Sequence, residues 1–152
     1  MGYSLTFTDG NVSKNTFTDW GLVPEAPPTI PPPTPVTNFV DIPGRPEGPL
    51  DLSRQPWGRL MYTRMSGSWN FLKELTSKTD RKTTYEAIRS WLHGRSCKVT
   101  LEDDPDHYFV GMFLVGEEKS GRNMLQVSIS YNLVPIRYNT SDDEEDTNYV
   151  QT

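Results

Sequence analysis

The clearest periodicity in the chain lies in "MLQVSISYNLVPIRY". Leu125, Val127, Ile129, Tyr131 and Leu133 alternate strictly with Gln126, Ser128, Ser130 and Asn132. A repeat of two is that of a β-strand, so the stretch predicts a strand with one buried apolar face and one wet polar face. "YSLTFT" (Tyr3 to Thr8) also alternates, meets Asp9-Gly10 and resumes in "NVSKNTFTDWG", which predicts a hairpin turning at Asp-Gly. "RSCKVTLE" reads as a strand, "DDPD" as a turn, "HYFVGMFLVGEEK" as a long strand and "SGRN" as another turn. Two further strands are expected at Arg59–Arg64 and Ser68–Leu72. A single helix interrupts this series. Thr83 and Glu86 form a capping-box pattern, Tyr85, Ile88 and Leu92 share a face widened by Trp91, and Gly94 suits the C′ position. The helix is expected at residues 81–93, with Thr79 as an alternative cap. The fold class that follows is mainly β with one helix (α+β).

One segment fits neither period. "PEAPPTIPPPTP" holds seven prolines in the twelve residues from Pro24 to Pro35. Proline lacks a backbone donor and fixes φ, so these residues are excluded from a central strand or a helix. They are expected as stiff, extended chain of the polyproline II type. "VTNFVDI" (Val36 to Ile42) then predicts a short edge strand. Stiff chain loses little conformational entropy on docking. An exposed edge strand can add to a neighbouring sheet through main-chain hydrogen bonds. By itself the segment reads as a structural strap, or as a ligand for an SH3-like partner through Pro32, Pro33 and Pro35.

Composition sharpens the boundaries. The 152 residues suit one domain, and 17 aromatics offset an apolar fraction of 34%. The net charge is −5, but "DDEED" (Asp142 to Asp146) carries five of the twenty acids. The remaining fifteen acids match fifteen bases, so the body is neutral and carries no basic footprint for nucleic acid. Residues 139–152, polar and acidic, are expected to be a disordered tail. No apolar run reaches membrane-span length and no secretory signal is visible. The lone Cys97 makes no internal disulfide. These features predict a soluble protein folded in a cytoplasm.

Candidate chemistry is sparse. His93 and His107, with Cys97, Asp103, Asp104 and Asp106, match no common zinc or calcium spacing. A catalytic thiol at Cys97 needs a base and an activating environment, and its early strand position between Ser96 and Lys98 reads instead as a half-buried structural residue. Carboxylate pairs can be drawn from Glu102, Asp104, Glu117 and Glu118, but without a pattern that selects any pair. No glycine loop precedes a helix to cradle phosphate. No catalytic residue, metal or cofactor is assigned, and the chain is expected not to be an enzyme.

Four stretches, in order, resemble the N-terminal domain of siphophage distal tail proteins. They are "KNTFTDWGLVPE", "TNFVDIPGRPEGPLDLS", "AIRSWLHGRSCKVTLEDDPDHYFVG" and "LQVSISYNLVPIRY", together covering roughly residues 13–138. The resemblance implies a β-sandwich-like ring-forming domain over residues 1–138. It also implies an extended arm over residues 24–50 that reaches a neighbouring subunit, with Pro27, Pro31, Pro33, Pro35, Phe39 and Ile42 as its contact residues. It implies a homohexameric ring at a virion tail tip, assembled in the bacterial host cytoplasm. Such a ring joins the tail tube protein to the baseplate hub or tail fibre protein, with DNA only in passage and no membrane. The polar strand face of Gln126, Ser128, Ser130 and Asn132 is then either ordinary wet surface or the lining of the ring's lumen. Two other classes remain as alternatives: a carbohydrate-binding β-sandwich module using exposed tryptophans, and a small hydrolase built on acidic pairs.

Overall fold

The structure is a computed structural model and describes residues 3–52, 61–121 and 123–146. In chain order the elements are β1 (Leu5–Asp9), β2 (Val12–Asn15), β3 (Val23–Pro24), β4 (Phe39–Val40), β5 (Leu50–Asp51), β6 (Met65–Glu74), α1 (Lys78–Leu92), β7 (Arg95–Leu101), β8 (Asp104–Val115), β9 (Lys119–Gly121), β10 (Met124–Leu133) and β11 (Tyr138–Asn139). The fold is mainly β with one helix, and its paired strands run antiparallel.

One large sheet has the order β2-β1-β7-β8-β10-β6-β3, with β11 added to β8 and β9 to β10. β10 is the spine. It pairs with β6 over its whole length, from Met124↔Glu74 to Leu133↔Met65, and with β8 from Ile129↔Val115 to Leu133↔Gly111. The alternation in its sequence becomes its burial pattern: Leu125, Val127, Ile129, Tyr131 and Leu133 are all buried. The apolar positions of β1, β6, β7 and β8 fall on the same face. There Phe7 meets Phe113 edge to face at 4.8 Å, and Trp69 stacks on Tyr131 at 4.3 Å. Ile88 and Leu92 of α1 close this core with Trp20 and Leu22.

The helix begins earlier than the capping-box reading places it. Ser77 is the N-cap, and its side chain accepts from Asp80 N–H, so Thr83 lies in the helix interior. Lys73 reaches across from β6 to Thr84 at 2.8 Å and to Asp80 at 3.5 Å, which ties this first turn to the sheet. The C-terminal end is as expected, with Gly94 at φ +77° after His93. The turn expected at "DDPD" sits earlier, at Glu102-Asp103, and β8 already starts at Asp104; a register shift between Val99 and Leu101 accompanies it. Within "SGRN", Ser120 and Gly121 belong to β9, and Asn123 (φ +58°) leads into β10. Of the strand expected at Arg59–Arg64, the first two residues lie outside the described residues. Tyr62 forms a single bridge with Pro35.

The acidic segment 139–146 is not loose. β11 pairs Tyr138 with Tyr108 and Asn139 with His107. The chain then turns back, with Asn139 N–H donating to Glu144 O and Asp146 N–H to Arg137 O. Asp146 is only 6% exposed, where its Oδ2 accepts from Arg137 and lies 3.4 Å from His107 Nε2. Five acids in a row repel in free chain, but here individual acids find partners. The rest of the expected tail lies outside the described residues.

Candidate functional site

Two features stand apart from the packed body. The first is the proline-rich segment, which divides into two halves with different roles. Its beginning is docked on its own sheet. Pro24 closes β3 against Phe71, Glu25 N–H donates to Asn70 O, and Trp69 Nε1 donates to Thr29 O at 3.0 Å. Pro28 is buried and Ile30 packs against the core. Proline at this position fits because β3 is an edge strand. The part of the expected strap around Pro27 thus braces the subunit's own body.

Beyond it the chain leaves the body as a hairpin. At the base, Thr63 N–H donates to Thr34 O and Val36 N–H to Met61 O. Further out, Phe39 pairs with Asp51 and Val40 with Leu50, and Leu52 N–H donates to Asn38 O. The tip turns through Gly44 (φ +81°) and Gly48 (φ +87°), a backbone region open to glycine at little cost. Among the described residues this arm is a two-stranded sheet of its own, and its apolar side chains are largely open to solvent. Phe39 is 59% exposed, and Val36, Val40 and Ile42 are exposed as well. Pro31 and Pro35 are exposed and Pro33 half-buried. Val36 and Val40 extend the list read from the sequence; their neighbours in "VTNFVDI" were the available signal.

The second feature is the polar face of the large sheet. Gln126, Ser128, Ser130 and Asn132 lie on it together, opposite Leu72, Asn70, Ser68 and Ser66 of β6. The four β10 residues are half-buried. Gln126 donates to Glu25, and Asn132 accepts from Arg64 Nε at 2.6 Å. Ser66, Ser68 and Asn70 were missed as part of this face, although "MSGSWNF" carries the same period of two. Lys98 shares the face, and it is held by Asp143 at 3.8 Å and by the Tyr108 ring at 4.7 Å. Burial, then the Asp143 bond, raises the Tyr108 phenol above its ordinary range.

The chemistry-bearing residues are scattered and structurally committed. His93 Nδ1 accepts the Val115 N–H at 3.0 Å, which fixes the end of α1 on β8. His107 Nδ1 faces Asp104 at 3.0 Å. Cys97 is buried, and that burial, with Asp9 nearby, pushes its thiol up to about 12. It is therefore a protonated core residue at neutral pH. Among the described residues, no group of three or more His, Cys, Asp or Glu side chains is placed to hold a metal ion. No helix among them is long and apolar enough to cross a membrane. Trp20 and Trp69 are buried and Trp91 is half-buried, stacked edge-on to Trp20 at 6.1 Å. Trp57 lies outside the described residues.

No family model matches the chain, and no curated protein sequence matches it. Solved structures do. One is the crystal structure of the Dit protein (gp 19.1) of phage SPP1, described as a paradigm of the hub adsorption apparatus in phages infecting Gram-positive bacteria. The similarity has a TM-score of 0.60 at 14% identity and covers 89% of this chain and 52% of that one. The chain thus spans about half the length of that protein. At this identity the likeness concerns architecture: the chain shares its fold with that protein over 89% of its own length.

Proposed function

We propose that the chain is a structural component of a phage or phage-like tail tip, forming a ring, most simply of six copies, between the tail tube protein and the baseplate hub or fibre protein. The observation that carries this reading is the arm. An isolated two-stranded hairpin is marginal in water, and one displaying Phe39, Val40 and Ile42 is an aggregation hazard unless something covers it. A neighbouring copy supplies that cover. Arm and receiving surface are then different patches of one subunit, and such a head-to-tail contact makes a ring where the rotation between copies closes.

The polar sheet face supports the second part of the reading, in which it lines the channel. Its Ser, Asn and Gln side chains are uncharged; of the cations beside them, Lys98 lies 3.8 Å from Asp143 and Arg64 is held on Asn132. DNA passing such a wall finds few cations to hold its phosphates. Function in a virion, with assembly in the host cytoplasm, belongs to the same proposal.

Light scattering and electron microscopy of the full chain test it. A closed ring is expected, together with monomers when residues 38–51 are replaced by a short Gly-Ser linker. Rings that persist without the arm would sink its role. A full chain that stays monomeric at all concentrations would sink the ring. The carbohydrate-module alternative needs exposed tryptophans; of those described, Trp20 and Trp69 are buried and Trp91 is half-buried against Trp20.

A further inference from the structure

At one end of the polar sheet face lies a cleft of about 390 Å³ that the ring reading does not use. Its walls come from two distant stretches of the chain: Ser4, Thr6 and Asn15 on one side, Thr100 and Glu102 on the other, and Phe17 at the rim. The Asn15 amide is saturated by the fold itself. Its Nδ2 donates to Ser4 Oγ and Thr6 Oγ1, and its Oδ1 accepts the N–H groups of Phe17 and Thr18. This turn holds the Phe17 backbone in place while its side chain stays largely in solvent, with the residue 47% exposed.

Glu102 is the unusual group. Ser4 donates to it twice, from Oγ at 2.5 Å and from the backbone N–H at 3.0 Å, across 98 residues of sequence. The side-chain bond and then the backbone bond, with a smaller contribution from the charge of the chain's own N-terminal ammonium, hold this carboxyl below its ordinary range, so it is ionised at neutral pH. Both donors reach the same oxygen, Oε2, so Oε1 keeps its full accepting capacity. Among the described residues that line the cleft there is no Lys, Arg or His.

We infer that this cleft receives a lysine or arginine side chain from a partner protein segment, its cationic head on Glu102 and its apolar stem along Phe17. The carboxylate takes the cation by a charge-assisted hydrogen bond, and the ring covers the methylenes of the stem. A sugar fits less well. It needs donors and acceptors at several points, and the amide that could supply both is already saturated within the fold. A phosphate would be repelled by the carboxylate. The assignment stands on the cleft alone and holds whatever the oligomeric state.

The test is a ¹H–¹⁵N NMR titration of the full chain with N-acetyl-lysine methylamide and N-acetyl-arginine methylamide, with N-acetylglucosamine run separately. Saturable shifts at Phe17, Thr18 and Glu102 are expected with both cations, with dissociation constants on the order of millimolar. Glu102→Gln, whose side-chain carbonyl can still accept from Ser4, should weaken binding roughly tenfold. Phe17→Ala should weaken it several-fold. High salt should weaken both. Shifts with the sugar and none with the cations would overturn the inference. So would no shifts at all, or cation shifts undiminished in Glu102→Gln and Phe17→Ala.

Discussion

β10 and the arm are built from the same kinds of residue and reach opposite outcomes. Both are extended, and both carry Val, Ile and aromatic side chains. In β10 a strand lies on each side and a helix-capped core lies beneath, so the apolar side chains are buried. In the arm each strand pairs with the other alone among the described residues, and Phe39, Val40 and Ile42 remain exposed. Local sequence selects extended chain in both places. The number of neighbours decides what that chain contributes: burial within the subunit in one case, a surface in need of a partner in the other.

The largest expected difference comes from the core side of this comparison. Phe113 is fully buried, with Phe7 at 4.8 Å and Trp69 at 6.2 Å. Phe113→Ala should cost about 3–5 kcal/mol of unfolding free energy, lowering the urea midpoint at constant slope. Phe39→Ala, an equal truncation on the arm, should move the midpoint of the dilute subunit by less than about 0.5 kcal/mol. Similar losses at the two sites would mean that the arm belongs to the subunit's own cooperative core.

Two glycines sharpen the picture within the sheet. A Cβ at Gly111 would lie 2.4 Å from Asn132 O and 2.8 Å from Leu133 Cα, both backbone atoms of the spine strand. At Gly67 it would instead meet the Tyr131 side chain, 2.5 Å from its hydroxyl. Backbone cannot step aside without breaking the β8–β10 ladder, whereas a ring can tilt. Gly111→Ala should therefore cost about 2–3 kcal/mol and Gly67→Ala about 1 kcal/mol, the latter by disturbing the Tyr131–Trp69 stack. Thermal melts of the two variants give the ranking, and the reverse order would show that the strands slide more easily than the ring turns.

These contrasts show what could be read from the chain beforehand. The β10 pattern, the hairpin at Asp9-Gly10 and the glycine after His93 rest on local rules, and each emerged as expected. The helix start did not, because Thr76, Ser77, Thr79, Thr83 and Thr84 all offer a capping hydroxyl. The choice of Ser77 accompanies Lys73 meeting Asp80 and Thr84 from another element. The docked half of the proline segment depends on Trp69, 40 residues from Thr29. The Ser4–Glu102 pair spans 98 residues, so no window of sequence could show the cleft.

The C-terminal segment was the hardest to read, and it supplies the next test. From composition alone, truncation after Tyr138 should be harmless. The structure predicts a loss. Removing Asp146 leaves Arg137 and His107 without their shared carboxylate, and removing Asp143 frees Lys98 and the Tyr108 hydroxyl. Arg137 stays partly in solvent, which softens the penalty, so Asp146→Ala should cost about 1–3 kcal/mol and the truncation at least as much. A melt unchanged by either would show that the turn is undocked in solution.

The smallest effect on the subunit itself is expected from removing the arm, and that smallness is its diagnostic value. Among the described residues, the arm's backbone pairing runs within the hairpin, closed at its base by Leu52 N–H on Asn38 O, and its apolar side chains are largely in solvent. Replacing them with a short Gly-Ser linker leaves the core, α1 and the docked half of the proline segment intact. The dilute variant should therefore unfold within about 0.5 kcal/mol of the full chain. The two should differ in how stability responds to concentration. A subunit that gains partners is stabilised by mass action, so the Tm of the full chain should rise with protein concentration. The armless chain's Tm should stay flat over the same range. Scanning calorimetry across a hundredfold dilution measures both. A full chain with a concentration-independent Tm would mean that the exposed face of Phe39, Val40 and Ile42 does not hold copies of the chain together. A variant whose Tm still rises would place the contact on the sheet rather than the arm.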